Sequence, residues 1–256
     1  MGGGHSHPLY RDGCSPVHRV PAEVKIVGLA LFVLAVVATP REAFWSFGVY
    51  ALILVAIWRL ARIPVTWMLP RMAIEVPFLV LAVLLPFADG APRAEFAGLS
   101  LSVPGLYAAW GIVIKGTLGV AASLTVAATT PARELPAALS RLGMPALLTS
   151  VLSLMIRYID VLAAEASRMR LARVSRGDSP RALHQGGAIA KSVGTLFLRS
   201  YERGERVYLA MVSRGYDGKV PPLINGAPGV SSRVWATAML PVAAAVLVAA
   251  SAWMWR

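Results

Sequence analysis

Residues 234–255 run for 22 positions without a charged side chain. A stretch of that length has few places to go. About 20 apolar residues in an α-helix cross the hydrocarbon layer of a bilayer. Within that layer the backbone must satisfy its own N–H and C=O groups, so only helices and closed barrels can span it. Four more stretches match this pattern or come close: 24–39 with Lys25 at its edge, 43–58, 72–88 with Glu75, and a segment inside 104–130 with Lys115. The first two are short and depend on flanking side chains snorkelling to the interface. Composition agrees: 57% of residues are hydrophobic and 15% charged, where soluble domains carry about 25% charged residues. The expected fold is all-α, a polytopic helical membrane protein with about five transmembrane helices.

The opening MGGGHSHPLYRDG lacks the apolar core and cleavage site of a secretory signal, so the first apolar segment is expected to stay in the mature chain. Orientation follows from the 25 Lys and Arg residues, which exceed the acids by 12. With the N-terminus cytoplasmic, Arg11, Arg19, Lys25, Arg59, Arg62, Arg71 and every basic residue from Arg133 to Arg233 lie inside. Only Arg41, Arg93 and Arg256 lie outside, and Lys115 is in the membrane. The opposite orientation puts 21 basic residues on the wrong side. The expected organisation is a cytoplasmic segment 1–23, four transmembrane helices in 24–130, a cytoplasmic region 131–232 and a last transmembrane helix in 233–256.

The cytoplasmic region has a different character. Charge returns, and apolar residues recur at three- and four-residue steps: Leu148, Val151, Leu152, Met155, Ile159 and Leu162, then Val193, Phe197, Tyr201, Val207 and Met211. This spacing predicts two long helices, 145–176 and 180–214, each with an apolar stripe. Each ends on nearly the same phrase, LARVSRG at 171–177 and LAMVSRG at 209–215, with six identities in seven. An Arg followed by Gly is ordinary helix C-capping. Capping alone does not ask for Leu-Ala before it or Val-Ser between. Repeating the whole last two turns on two helices points to two similar partner surfaces, with small Ala and Ser allowing close approach and Arg supplying a multi-donor contact.

The stretch TTPARELPAALSRLGMPALLTSVLSLMIRYIDVLAAEASRMRLARVSRG, followed by LFLRSYERGERVYLAMVSRGYDG, resembles the transmembrane T component of energy-coupling-factor (ECF) transporters, most closely the cobalt-uptake branch. SPVHRVPAEVK, residues 15–25, looks like the opening of that branch, and the resemblance runs to about Gly218. The paired motifs usually read Ala-Arg-Gly, and here Ser175 and Ser213 replace the Ala. The resemblance implies a scaffold joining two cytoplasmic ATPase subunits to a substrate-binding membrane subunit, in the bacterial inner membrane. It implies that Arg176, with Ala172, Ser175 and Gly177, enters a groove on one ATPase, and that Arg214, with Ala210, Ser213 and Gly215, enters the other. ATP and Mg would belong to those partners, and this chain would bind no cofactor. Cobalt is the implied substrate, with nickel or an organic micronutrient as alternatives.

Other chemistries find less support. A phosphate-binding loop needs G-x-x-x-x-G-K-[ST], and the run from Gly186 to Ser192 lacks the Gly before Lys191. His5, His7, Cys14 and His18 are the one candidate metal cluster, with spacings that match no defined site, so no metal site is expected. A membrane lipid or prenyl transferase needs clustered Asp for metal and phosphate, but the 13 acids are scattered singly. A stand-alone permease would place more polar groups at mid-membrane, and no nucleic-acid motif accompanies the basic charge. The two membrane charges each need a reason, since one at mid-bilayer costs about 2.5–3.5 kcal/mol. Glu75 and Lys115 lie at similar depth and are expected to form an intramembrane ion pair beside a stripe of small residues, Gly111, Gly119 and Ser123.

Overall fold

Proline opens most of the helices of this chain, where its fixed φ suits the first turn and its missing N–H costs nothing. The computed structural model describes residues 9–87, 93–96, 99–177, 186–216 and 230–254. Helix α1 (Pro16–Arg19) begins on proline and α2 (Ala22–Ala38) follows Pro21. α3 (Phe44–Ala61) is followed by α4 (Val65–Met68), which starts after Pro64. The chain then tightens into a 3-10 segment, Leu69–Glu75, before α5 (Val76–Leu84) and a second 3-10 turn, Leu85–Phe87. A hairpin of β1 (Arg93–Phe96) and β2 (Leu99–Ser102) pairs Arg93 with Ser102 and Phe96 with Leu99. α6 (Val103–Thr129), α7 (Leu135–Arg141), α8 (Ala146–Ser175), α9 (Gly186–Val212) and α10 (Ser232–Met254) complete the described elements. Apart from one short hairpin the described residues are all-α, as the sequence implies.

The chain divides into two units, Ser6–Leu135 with Pro228–Arg256, and Pro136–Ala227 with Met1–His5. In the first, α2 packs on α6 and α10, α3 packs on the same two helices, and α5 packs on α6. Phe32, Val36, Phe47, Tyr50 and Leu118 form its core with Ala121, Ala122, Ala245 and Ala249. Tyr50 is fully buried, and in an apolar interior its hydroxyl needs a partner. It meets the Thr39 hydroxyl at 2.7 Å and donates to the Ala245 carbonyl at 3.4 Å, tying the end of α2, α3 and α10 together. The outer faces carry Leu34, Leu52, Val83 and Leu240, each more than 60% exposed, a surface suited to hydrocarbon.

Contacts within this unit fix the direction of every span. Gly28 lies beside Val242, and Trp253 Nε1 donates to the Ala38 carbonyl at 2.9 Å, so α2 and α10 run the same way. Lys25 Nζ reaches the Thr129 carbonyl at 2.8 Å and Lys115 Nζ the Thr39 carbonyl at 2.7 Å, so α6 runs against α2. Trp58 Nε1 bonds Thr125 at 2.6 Å, which places α3 parallel to α6. Thr117 bonds Glu75, and Gly105 abuts Leu85 and Pro86, so the α4–α5 segment runs against α6.

Among the described residues five helical segments are long and apolar enough to cross a membrane: Phe44–Ala61, Val65–Phe87, Val103–Thr129, Ala146–Ser175 and Ser232–Met254. This set includes α8 and omits α2, whose 17 residues reach about 26 Å at about 1.5 Å per residue. α6 ends and α10 begins at the same end of the bundle, beside Lys25. α9 carries Lys191, Arg199, Glu202, Arg203, Glu205 and Arg206, which suit water and not hydrocarbon. The bundle is built from α2, α3, Val65–Phe87, α6 and α10. The third begins earlier than residue 72, because Pro70 and Pro77 break that span into 3-10 and α pieces without ending it.

In the second unit α8 and α9 pack against each other. Glu165 on α8 accepts from Arg199 Nη1 of α9 at 2.6 Å and from Arg168 Nε at 3.2 Å. The expected stripe on α9 is only partly used: Val193, Phe197 and Tyr201 are 61%, 67% and 66% exposed.

Candidate functional site

The repeated phrases close α8 and α9 with the same backbone and side-chain geometry. Gly177 and Gly215 both have φ of 86°, the left-handed conformation that an L side chain resists. Nothing lies within 4 Å of the position a Cβ would take at either glycine, so conformation and not space demands Gly there. Arg176 N bonds the Arg173 carbonyl at 3.0 Å, and Arg214 N bonds the Met211 carbonyl at 3.0 Å. Ser175 and Ser213 each turn the hydroxyl back on the Ala172 or Ala210 carbonyl at 3.0 Å. Tyr216 N reaches the Met211 carbonyl at 3.0 Å, completing a Schellman cap after the second phrase.

What each cap holds out is the more informative part. Arg176 and Arg214 are exposed, and neither guanidinium has a partner among the described residues. Beside them Leu171 is 70% and Leu209 59% exposed, with Val174 and Val212 about half exposed. Two exposed apolar side chains and one free guanidinium, held by a rigid turn, make a small amphipathic knob, and the chain builds it twice. The letter that differs is explained locally: Arg173 is half-buried and engaged, and Met211 is half-buried at the corresponding place.

The two membrane charges are not a pair. Lys115 Nζ donates to the Val37 and Thr39 carbonyls, each at 2.7 Å. Pro40 ends α2 and leaves those carbonyls without helical donors, and an ammonium at a helix C-terminus satisfies both their lone pairs and the dipole. Glu75, buried at the break between the 3-10 segment and α5, accepts from the Thr117 hydroxyl at 3.0 Å. It fits there because Gly116 has no side chain: a Cβ would sit 2.7 Å from its Oε1. Of the expected stripe on α6, Gly111 is in close contact, with Arg41 Cδ 3.3 Å from a prospective Cβ, while Gly119 has nothing within 4 Å; Gly116 lies outside that stripe.

His18 is committed to structure. Its Nδ1 meets Ser15 Oγ at 2.7 Å and its Nε2 the Arg11 carbonyl at 3.0 Å. No group of three His, Cys, Asp or Glu that could hold a metal occurs among the described residues, and His5 and His7 lie outside them. Lys191 and Ser192 lie on the helix α9, not in a phosphate-cradling loop.

A family model described as CbiQ, cobalt transport protein, matches residues 13–223, which takes in α1 and both repeated phrases. The chain belongs to the CbiQ family of cobalt transport proteins. It is 31% identical over 230 residues to the energy-coupling factor transporter transmembrane protein EcfT of Thermanaerovibrio acidaminovorans, covering 82% of each chain. It is 26% identical to the cobalt transport protein CbiQ of Rhodobacter capsulatus, over 91% of this chain and 92% of that one. A Methanocaldococcus jannaschii protein of unassigned function, MJ1571, is 26% identical over 80% of this chain and 72% of its own length. As a CbiQ-family protein the chain is a multi-pass membrane component of an ECF transporter, which places it in a complex with other subunits. The sequence implies Ala172, Ser175, Arg176 and Gly177, with Ala210, Ser213, Arg214 and Gly215, as the contact residues; the identity of Leu171 with Leu209 and Val174 with Val212 points to similar partner surfaces without naming these four, and all four are exposed.

Proposed function

We propose that this chain is the coupling subunit of an ATP-driven cobalt importer, with its N-terminus and the α8–α9 region in the cytoplasm of a bacterial inner membrane. Two ATPase subunits dock on the two phrases, one around Arg176 and the other around Arg214. Ala172, Ser175 and Gly177, and Ala210, Ser213 and Gly215, shape the contacts. A single observation carries this reading: two separate helices end in the same strained-glycine cap, and each presents a free Arg with an exposed Leu and Val. One cap would be a helix stop, whereas two matching caps suit two matching receptors.

ATP and Mg are held by the ATPases, and this chain contributes no catalytic residue. Closure of the ATPase pair on ATP changes the angle between α8 and α9 and passes the motion to a substrate-binding membrane subunit. The family supports cobalt as the substrate, and nickel or an organic micronutrient is the alternative. Co-purification from the native membrane with mass spectrometry tests the proposal: two ATPase chains and one further polytopic membrane chain are expected. Recovery of this chain with no ATPase would overturn it. Uptake of labelled cobalt against nickel by the intact complex decides the metal, with preference for nickel overturning that part.

A further inference from the structure

One feature of the bundle is unused by the coupling role: a cavity of about 500 Å³ at its basic end, within the range of small-ligand sites. Val24, Leu54, Ile57, Val126, Ala238 and Val242 give it apolar walls from α2, α3, α6 and α10. It follows α2 from Val24 to Phe32, about 12 Å at about 1.5 Å per residue, and so reaches into the hydrocarbon layer. The packing explains why it exists. Tyr50 and Ala245 hold α3 and α10 together, and toward the basic end Pro241 interrupts α10, removing the N–H that would bond the Thr237 carbonyl. On the α3 side Leu60 is 58% exposed, so the cavity is not closed there by packing.

Both cations among the cavity's lining residues, Arg19 and Lys25, belong to its basic end. Arg19 is exposed and has no partner among the described residues. Lys25 spends two N–H groups on the Thr129 and His18 carbonyls, at 2.8 and 3.4 Å, and keeps the third. The N-terminus of α2 lies between them, with Pro21 offering no side-chain cap to its first turn. Glu23 in that turn is buried and has its own partner. An apolar slot along a transmembrane helix, with two cations at the interfacial end, fits a molecule with a long hydrocarbon tail and an anionic head. The positive-inside rule places this end in the anionic cytoplasmic leaflet.

We propose that the cavity between α2, α3, α6 and α10 is a binding site for an anionic glycerophospholipid, with one acyl chain in the slot and the phosphate at Arg19 and Lys25. The lipid fills a void that a bare bundle leaves open and fastens α1 to the bundle.

The test is native mass spectrometry of the full-length chain in detergent, titrated with dioleoyl phosphatidylglycerol, dioleoyl phosphatidylcholine or sn-glycerol 3-phosphate. Phosphatidylglycerol is expected to bind about 25-fold more tightly than phosphatidylcholine, about fivefold for each cation. Arg19→Gln should remove about fivefold of that preference. Ala238→Phe, which fills the slot, should abolish binding, and glycerol phosphate should not compete. Equal binding of the two lipids, an unchanged preference in Arg19→Gln, or displacement by glycerol phosphate would overturn the proposal. So would loss of the lipid when the chain is assembled with its membrane partner, which would make the slot a protein interface. Arg19 is exposed, so its variant keeps the test decisive even if Ala238→Phe fails to fold.

Discussion

Replacing Gly177 or Gly215 by alanine separates the shape of the two caps from their chemistry. Both glycines sit at φ of 86°, and neither has an atom within 4 Å of a prospective Cβ. The cost of alanine is therefore conformational alone, about 1–2 kcal/mol for an L residue held left-handed. The usual gain from Gly→Ala, through the unfolded chain, does not offset it where φ is incompatible. The helix instead tends to run on, and Arg176 or Arg214 leaves the position its backbone bond to Arg173 or Met211 now holds. If docking requires the cap, binding of the matching ATPase should weaken about 5- to 30-fold per site, at tenfold per 1.4 kcal/mol. Asparagine tolerates the left-handed region better and should lose much less. The assay is ATPase binding to the chain in nanodiscs by interferometry, with thermal unfolding of the bundle as control and no shift expected there. Normal binding of both alanine variants, or a larger loss for asparagine than for alanine, would refute the reasoning.

Other predictions concern the bundle and its placement. Because Lys115 and Glu75 hold different partners, the stability losses of Lys115→Met and Glu75→Gln should add in the double variant, and mutual rescue in thermal unfolding would restore the ion pair. Gly116→Ala should destabilise by about 1–3 kcal/mol through overpacking against Glu75. Gly119→Ala, with open space around it, should be neutral or stabilising through helix propensity, so equal effects in thermal unfolding would contradict the assigned contacts. In a Cys14→Ala background, Ala190→Cys should react with a membrane-impermeant thiol reagent only after the cytoplasmic face is opened, and labelling from outside would reverse the orientation.

The bounds of α8 were legible almost to the residue, because Pro145 precedes its start and Arg-Gly its end, and both are local signals. α9 is described from Gly186 onward, and the expected start at 180 lies outside the described residues. The apolar segments were legible by length and hydropathy, although those two criteria omit α2, which packs in the bundle, and admit α8. The 3-10 course of the third was not, because proline placement marks a break without saying whether the chain stops or tightens. The Glu75–Lys115 pairing failed for a definable reason. Depth along the membrane is readable from residue count, but azimuth around α6 is not, and orphan carbonyls at Val37 and Thr39 are invisible to any list of side chains. Lys115 found backbone where the sequence offered only a carboxylate. The two phrases were legible as a repeat, and the exposure of Leu171 and Leu209 agrees with what the repeat of Leu-Ala on two helices implies.

The most direct measurement is pull-down of the ATPase subunits by Arg176→Ala, Arg214→Ala and the double variant, made alongside cobalt uptake in intact cells. Both side chains are exposed, so their loss as capping cations costs the helix only about 0.3–1 kcal/mol and the chain should stay folded. Docking should suffer far more, since removing one partner of a buried charge-assisted contact costs about 2–5 kcal/mol. Each single variant should retain ATPase weakly and lose coupled uptake, Lys at either position should rescue poorly for want of the planar fork, and the double variant should release both ATPases. Normal docking and uptake in the double variant would mean that the two phrases are helix caps and nothing more.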